Sequence, residues 1–184
     1  SRGLVGSEMC IRDRLKPFSF AKPNQMKKIV FTGGGTAGHV IPHFPLITRF
    51  KEMGWKCLYF GSYQGMERKM ISNQDVSYYP LLTGKLRRYF SFQNFIDLFK
   101  IPLGILQAFF YLLFLRPQVI FSKGGFVSFP VVVSAWLLRI PVVLHESDFS
   151  PGLANKISQP FAKKICVNFE ETKKYYKDKS IEVT

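Results

Sequence analysis

FTGGGTAGHVIPH, residues 31–43, sets Gly33, Gly35 and Gly38 in the spacing G-x-G-x-x-G and places His39 directly after them. Before the glycines, Lys28–Thr32 (KIVFT) is an apolar run that reads as a buried strand. After them, Val40–Met53 reads as a helix ended by Gly54. Strand, glycine loop and helix in that order open many parallel α/β domains, so the pattern needs a second test. A dinucleotide site requires a carboxylate about 20 residues past the glycines, at the end of the second strand, to hold a ribose hydroxyl. Here that strand is Lys56–Phe60 (KCLYF), followed by Gly61 and Ser62, and the next carboxylate is Glu67. The reading therefore turns away from a nicotinamide or flavin site.

Outward from this stretch, short apolar runs keep alternating with helical ones. Met66–Asn73 reads as a helix, Ser77–Leu82 as a third strand and Phe92–Leu115 as a long helix with a break at Pro102. Gln118–Ser122 is a fourth strand, Pro130–Arg139 a helix with proline in its first turn, and Val142–His145 a fifth strand. Pro151–Ser158 and Lys164–Phe169 add a helix and a strand, and a new apolar pattern begins at Ile181. This alternation predicts an α/β fold, a doubly wound parallel sheet of Rossmann-like type.

Ligands of such sheets bind outside the carboxyl ends of the strands. Three polar loops fall there: GGGTAGH after the first strand, KGGFVS (123–128) after the fourth and HESDFSPG (145–152) after the fifth. Glycines let backbone approach a ligand, and helix N-termini offer free N–H groups to an anion, so two facing glycine loops point to a diphosphate. His39, at a helix entrance, is the candidate base, with the helix dipole expected to keep it neutral. His145 and Glu146 end an apolar strand, and two readings stand for them: catalytic groups in the cleft, or braces that tie the loops together. No G-x-S-x-G occurs and Ser147 lacks a triad, which leaves a serine nucleophile unsupported. His39, His43 and His145 are poorly spaced for zinc.

The composition narrows the partners. Among 184 residues, 26 Lys and Arg oppose 12 Asp and Glu, a formal charge of +14 that favours phosphates or an anionic membrane surface. The cations are scattered, with clusters at Lys85, Arg87, Arg88 and at Lys173, Lys174, Lys177, Lys179, which speaks against nucleic acid. Cys10, Cys57 and Cys166 are odd in number and follow no metal-ligand pattern, which argues against a disulfide framework and fits a reducing compartment. Residues 1–25 lack an apolar leader core and read as a non-native or disordered leader before Met26. Ile101–Leu115 is apolar but for Gln107 and shorter than the roughly 20 residues of a transmembrane span. It reads either as a buried helix or as part of an interfacial patch with Lys85, Arg87 and Arg88.

TGGGTAGHVIP (32–42), GKLRRYF (84–90), FSKGGFVSFP (121–130) and IPVVLHESDFSPGLANK (140–156) together resemble the N-terminal half of the MurG family of bacterial glycosyltransferases. The resemblance implies a GT-B architecture in which 26–184 is the acceptor-binding domain and the C-terminal donor-binding domain is absent. It implies inverting transfer of N-acetylglucosamine from UDP-N-acetylglucosamine, a substrate rather than a cofactor, to undecaprenyl-diphosphate-linked muramyl-pentapeptide in peptidoglycan synthesis. No metal is implied, and the enzyme would be peripheral at the cytoplasmic face of the cell membrane. By the same resemblance His39 is the base or a charge stabiliser. Thr36, Ala37, Gly38 and Asp148 approach the donor sugar. Gly34, Gly35, Gly124, Gly125 and Ser128 line the acceptor diphosphate, with His145, Glu146 and Asn155 in support. Ser147 and Asp148 depart from a Gln-Asn pair common in the family, Phe126 from a tyrosine, and Ala37 from a glycine. The alternatives are an acceptor-binding subunit of a split transferase and a non-catalytic diphosphate-binding module.

Overall fold

The computed structural model describes residues 26–84, 92–176 and 180–184, with the backbone alone described for 92–99. Seven strands run parallel in one sheet: β1 (Lys28–Gly33), β2 (Lys56–Ser62), β3 (Ser77–Leu81), β4 (Val119–Gly124), β5 (Val142–Glu146), β6 (Lys164–Val167) and β7 (Ser180–Val183). Their spatial order is β3-β2-β1-β4-β5-β6-β7. The order reverses between β1 and β4, and that reversal is where a doubly wound sheet opens a crevice.

Alternation along the strands builds two cores. Ile29 and Phe31 of β1 join Cys57 and Tyr59 of β2 on one face, under helix α1 (His43–Glu52) and helix α2 (Met66–Ser72). Val30, Leu58 and Phe60 point to the other face, where helix α3 (Phe92–Leu115) and helix α4 (Ser128–Leu137) cover them with Ala108, Leu112, Val131 and Ala135. A short helix, α5 (Leu153–Ser158), follows β5. Helix α1 buries Leu46, Ile47 and Phe50, one stripe of its surface, and stops at Gly54, whose φ of +77° places it in the left-handed region. Gly54 N–H then donates to Lys51 O at 2.9 Å and Trp55 N–H to Phe50 O at 2.9 Å, closing the helix end.

Two helix starts and one expected helix break are among the differences from the sequence reading. The predicted helix from Val40 begins instead as a separate 3-10 turn, Ala37–His39, with α1 starting at His43. Helix α4 starts at Ser128 rather than Pro130. Helix α3 runs through Pro102 unbroken, because the apolar packing of Ala108 and Leu112 outweighs one missing N–H. Of the cysteines, Cys57 is a buried free thiol and Cys166 is disulfide-bonded, a single bond rather than the framework that the odd count argued against.

Candidate active site

The first two glycine loops meet at the strand-order reversal. Gly33 at the end of β1 pairs with Gly124 at the end of β4, after a register shift at Thr32/Gly33 that lets the two chain paths diverge. Beyond it, Gly124 and Gly125 take φ of +92° and +85°. A Cβ built on Gly125 would fall on the carbonyl oxygen of Gly34, so the loops touch backbone to backbone. The Phe126 ring lies against Gly35, 2.8 Å from where a Cβ would stand there. Ser128 is fully buried; its hydroxyl donates to Gly125 O at 2.7 Å, which puts it behind the loop as a brace.

His39 closes the 3-10 turn and is half-buried, with Nδ1 2.7 Å from Thr36 Oγ1. Thr36 and Gly38 are exposed and Ala37 partly so, and a Cβ on Gly38 would meet only Thr36 Oγ1, at 3.8 Å. The space above this turn is open. Burial lowers the pKa of His39 below 6.5, and Lys123 lowers it further, while Asp148 and Glu146 act the other way. The imidazole is thus held neutral by desolvation and a buried cation. The helix dipole expected from sequence is not the cause: three 3-10 residues make a weak dipole, and α1 starts four residues later.

The third loop is tied down from beneath. Glu146 is buried and accepts three N–H groups: Asp148 N at 3.0 Å on Oε1, and Gly152 N at 3.1 Å and Asn155 Nδ2 at 2.9 Å on Oε2. Asn155 also lies against Gly124, so one amide links the second and third loops. Asp148 is exposed at the rim. His145 is buried, and its Nδ1 lies 2.7 Å from the Nζ of Lys123, itself 3% exposed. Lys123 was visible in the sequence only as the first letter of KGGFVS. The usable signal was a lysine carried at the end of a mostly apolar run, VIFSK.

The model of the glycosyltransferase family 28 N-terminal domain matches residues 29–167. The chain belongs to glycosyltransferase family 28. It is 57% identical over 157 residues to a Legionella pneumophila (strain Corby) UDP-N-acetylglucosamine--N-acetylmuramyl-(pentapeptide) pyrophosphoryl-undecaprenol N-acetylglucosamine transferase, covering 85% of this chain and 43% of that protein. A Geobacillus kaustophilus enzyme of the same name is 55% identical over 159 residues, with 85% and 44% covered. The crystal structure of Acinetobacter baumannii MurG superposes with a TM-score of 0.72 at 26% identity, over 86% of this chain and 44% of that one. The chain thus spans less than half the length of these relatives.

Two further groups support the loops of this family 28 domain. Tyr59 OH donates to Gly33 O at 2.8 Å and lies 3.2 Å from His43 Nδ1, so the fully buried His43 ring is the donor to Tyr59 and its Nε2 has no partner. Burial, with Lys123 and the other two histidines, holds His43 well below 6.5. Glu67, which failed the test for a ribose carboxylate, is fully buried under the first loop and takes Ser62 N at 2.9 Å and Ser62 Oγ at 2.5 Å on Oε1. Among the described residues no three His, Cys, Asp or Glu side chains gather as a metal-holding group. Lys85, Arg87, Arg88, Lys177 and Lys179 lie outside the described residues.

Proposed function

We propose that this chain is the acceptor-binding part of an inverting transferase that moves N-acetylglucosamine from UDP-N-acetylglucosamine to undecaprenyl-diphosphate-linked muramyl-pentapeptide. The observation that carries the reading is the backbone contact of two glycine loops at the strand-order reversal, with a neutral, half-buried His39 at its edge. Family membership and relatives named for this activity support it.

In the proposed step the acceptor hydroxyl oxygen bonds to the anomeric carbon while the bond from that carbon to the UDP oxygen breaks, its electron pair leaving with UDP. In the tautomer that donates Nδ1–H to Thr36 Oγ1, 2.7 Å away, Nε2 of His39 keeps its lone pair and takes the hydroxyl proton. Gly34, Gly35, Gly124 and Gly125 face the acceptor diphosphate through backbone N–H groups. Thr36, Ala37, Gly38 and Asp148 face the donor sugar, and the uridine belongs to a C-terminal donor-binding domain. The reading calls on no metal or cofactor.

A lipid-linked acceptor calls for docking at the cytoplasmic membrane face. Leu103, Leu106, Phe110, Leu113 and Phe114 stand exposed at spacings that share one side of α3, Phe114 at 79%, and Trp136 and Leu137 are exposed on the neighbouring α4. No helix among the described residues is long and apolar enough to cross a membrane. An apolar face of this kind on a chain of charge +14 suits an anionic surface.

The test is transfer of radiolabelled N-acetylglucosamine from its UDP form to a short-chain lipid acceptor by the gene product carrying this chain, with and without His39→Ala. The expected loss is about 100-fold or more, the scale of a general base. A folded wild type that binds acceptor but yields no product would overturn the reading.

A further inference from the structure

Lys123 is a buried cation at the strand-order reversal. It is the penultimate residue of β4, directly before the left-handed Gly124–Gly125 pair, and only 3% of it is exposed. A lysine is rarely sealed in this way without a partner, since its ammonium loses its hydration on burial. The partner of Nζ is an imidazole: His145 Nδ1 at 2.7 Å, on the adjacent strand β5. The groups facing this ammonium from the elements around it are His39 of the 3-10 turn, His43 of α1, His145 and Glu146 of β5, and Asp148 of the third loop.

An ammonium has only donors, so His145 Nδ1 must accept. A neutral imidazole that accepts at Nδ1 carries its proton at Nε2. We propose that Lys123 is a positioning residue: its buried ammonium fixes His145 as an Nε2–H donor and keeps one positive charge behind the paired glycine loops. The charge is balanced toward the third loop by Glu146 and Asp148, and toward the first loop it opposes protonation of His39. One residue thus sets the tautomer of one histidine and the charge of another. Burial pushes Lys123 down to about 8 and His145 down to about 3, so near pH 7 the pair is ammonium plus neutral imidazole.

The consequence for transfer rests on the proposed transferase reading, whereas the tautomer does not. The first experiment is therefore free of activity: nitrogen-15 histidine NMR of the 184-residue chain at pH 6.5–7, with the three rings assigned by single substitution. The expected wild-type spectrum shows His145 with its proton on Nε2 and an accepting Nδ1. In Lys123→Met the His145 signal should shift to a tautomer mixture or to the Nδ1–H form, and His39 should titrate at higher pH. A wild-type His145 protonated on Nδ1 overturns the proposal without any variant, as does an unchanged tautomer and titration in a folded Lys123→Met. In the active gene product, Lys123→Met should lower kcat and move the acid limb of kcat/KM to higher pH. An unmoved limb would refute the catalytic half while the NMR result stood by itself.

Discussion

A methyl group at position 125 has nowhere to go: it would sit on Gly34 O, in a backbone with φ of +85° that side chains rarely adopt. Gly125→Ala must therefore part the two loops or strain them. Strain of this type costs about 1–3 kcal/mol, so the urea midpoint should fall, and pyrophosphate binding should fall with it. A variant with wild-type stability and binding would show that the loops need not touch. The glycines were legible in the sequence because spacing marks them; what each one contacts was not. His39 shows the same division. Its place beside the loop followed from the motif, but its neutrality comes from burial and Lys123, which are set by a strand 80 residues on and leave no local pattern. Because its pKa lies below 6.5, the rate of transfer should hold from pH 8 down to about 6.5 and fall only on further acidification, a profile read from kcat/KM.

Helix α3 joins its two sequence readings, buried helix and surface patch, in one element. Ala108 and Leu112 face the sheet, while Leu106, Phe110 and Phe114 face outward. A nearly all-apolar run hides this division, since periodicity needs polar residues to mark the other side. Gln107, the one polar interruption, supplies the missing clue. Its amide nitrogen, with two N–H donors, lies 3.0 Å from Pro80 O, 3.1 Å from Tyr63 OH and 3.2 Å from Tyr111 OH, and its carbonyl accepts Leu82 N at 2.9 Å. It thereby fastens α3 to the end of β3. Gln107→Leu leaves Leu82 N and Pro80 O without those bonds, and about 0.5–1.5 kcal/mol of stability should be lost in chemical denaturation. The outward face makes a separate prediction. Phe110→Glu with Phe114→Glu should abolish flotation with anionic liposomes and leave the denaturation midpoint in place, because these side chains touch water rather than the core. Retained flotation would assign docking to another surface.

For the whole molecule, the buried ionisable groups act in one direction below about pH 9, above which the Cys57 thiol, pushed up to about 11 by burial, begins to act the other way. His43 and His145 are depressed from 6.5, His145 to about 3, so between about pH 3 and 6.5 the unfolded chain binds protons that the folded chain refuses. Folding stability must then rise with pH across that window. Lys123, depressed from 10.5 to about 8, extends the rise: between those values the unfolded lysine is charged and the folded one is not. The tyrosines reverse the trend. Tyr59, Tyr78 and Tyr176 are all pushed above 10 by burial, so above pH 10 the unfolded chain sheds protons that the folded chain keeps, and stability drops. Urea midpoints should climb from pH 5 to 7.5, climb again to a maximum between about pH 8 and 10, and decline by pH 11. None of this could be read from composition, which showed three histidines and a net charge of +14 but not which groups the fold strips of water. A midpoint at pH 5 equal to that at pH 7.5 would mean that the histidines keep their protons in the folded chain. The neutral imidazoles at the glycine loops, and with them a base at His39, would then be lost.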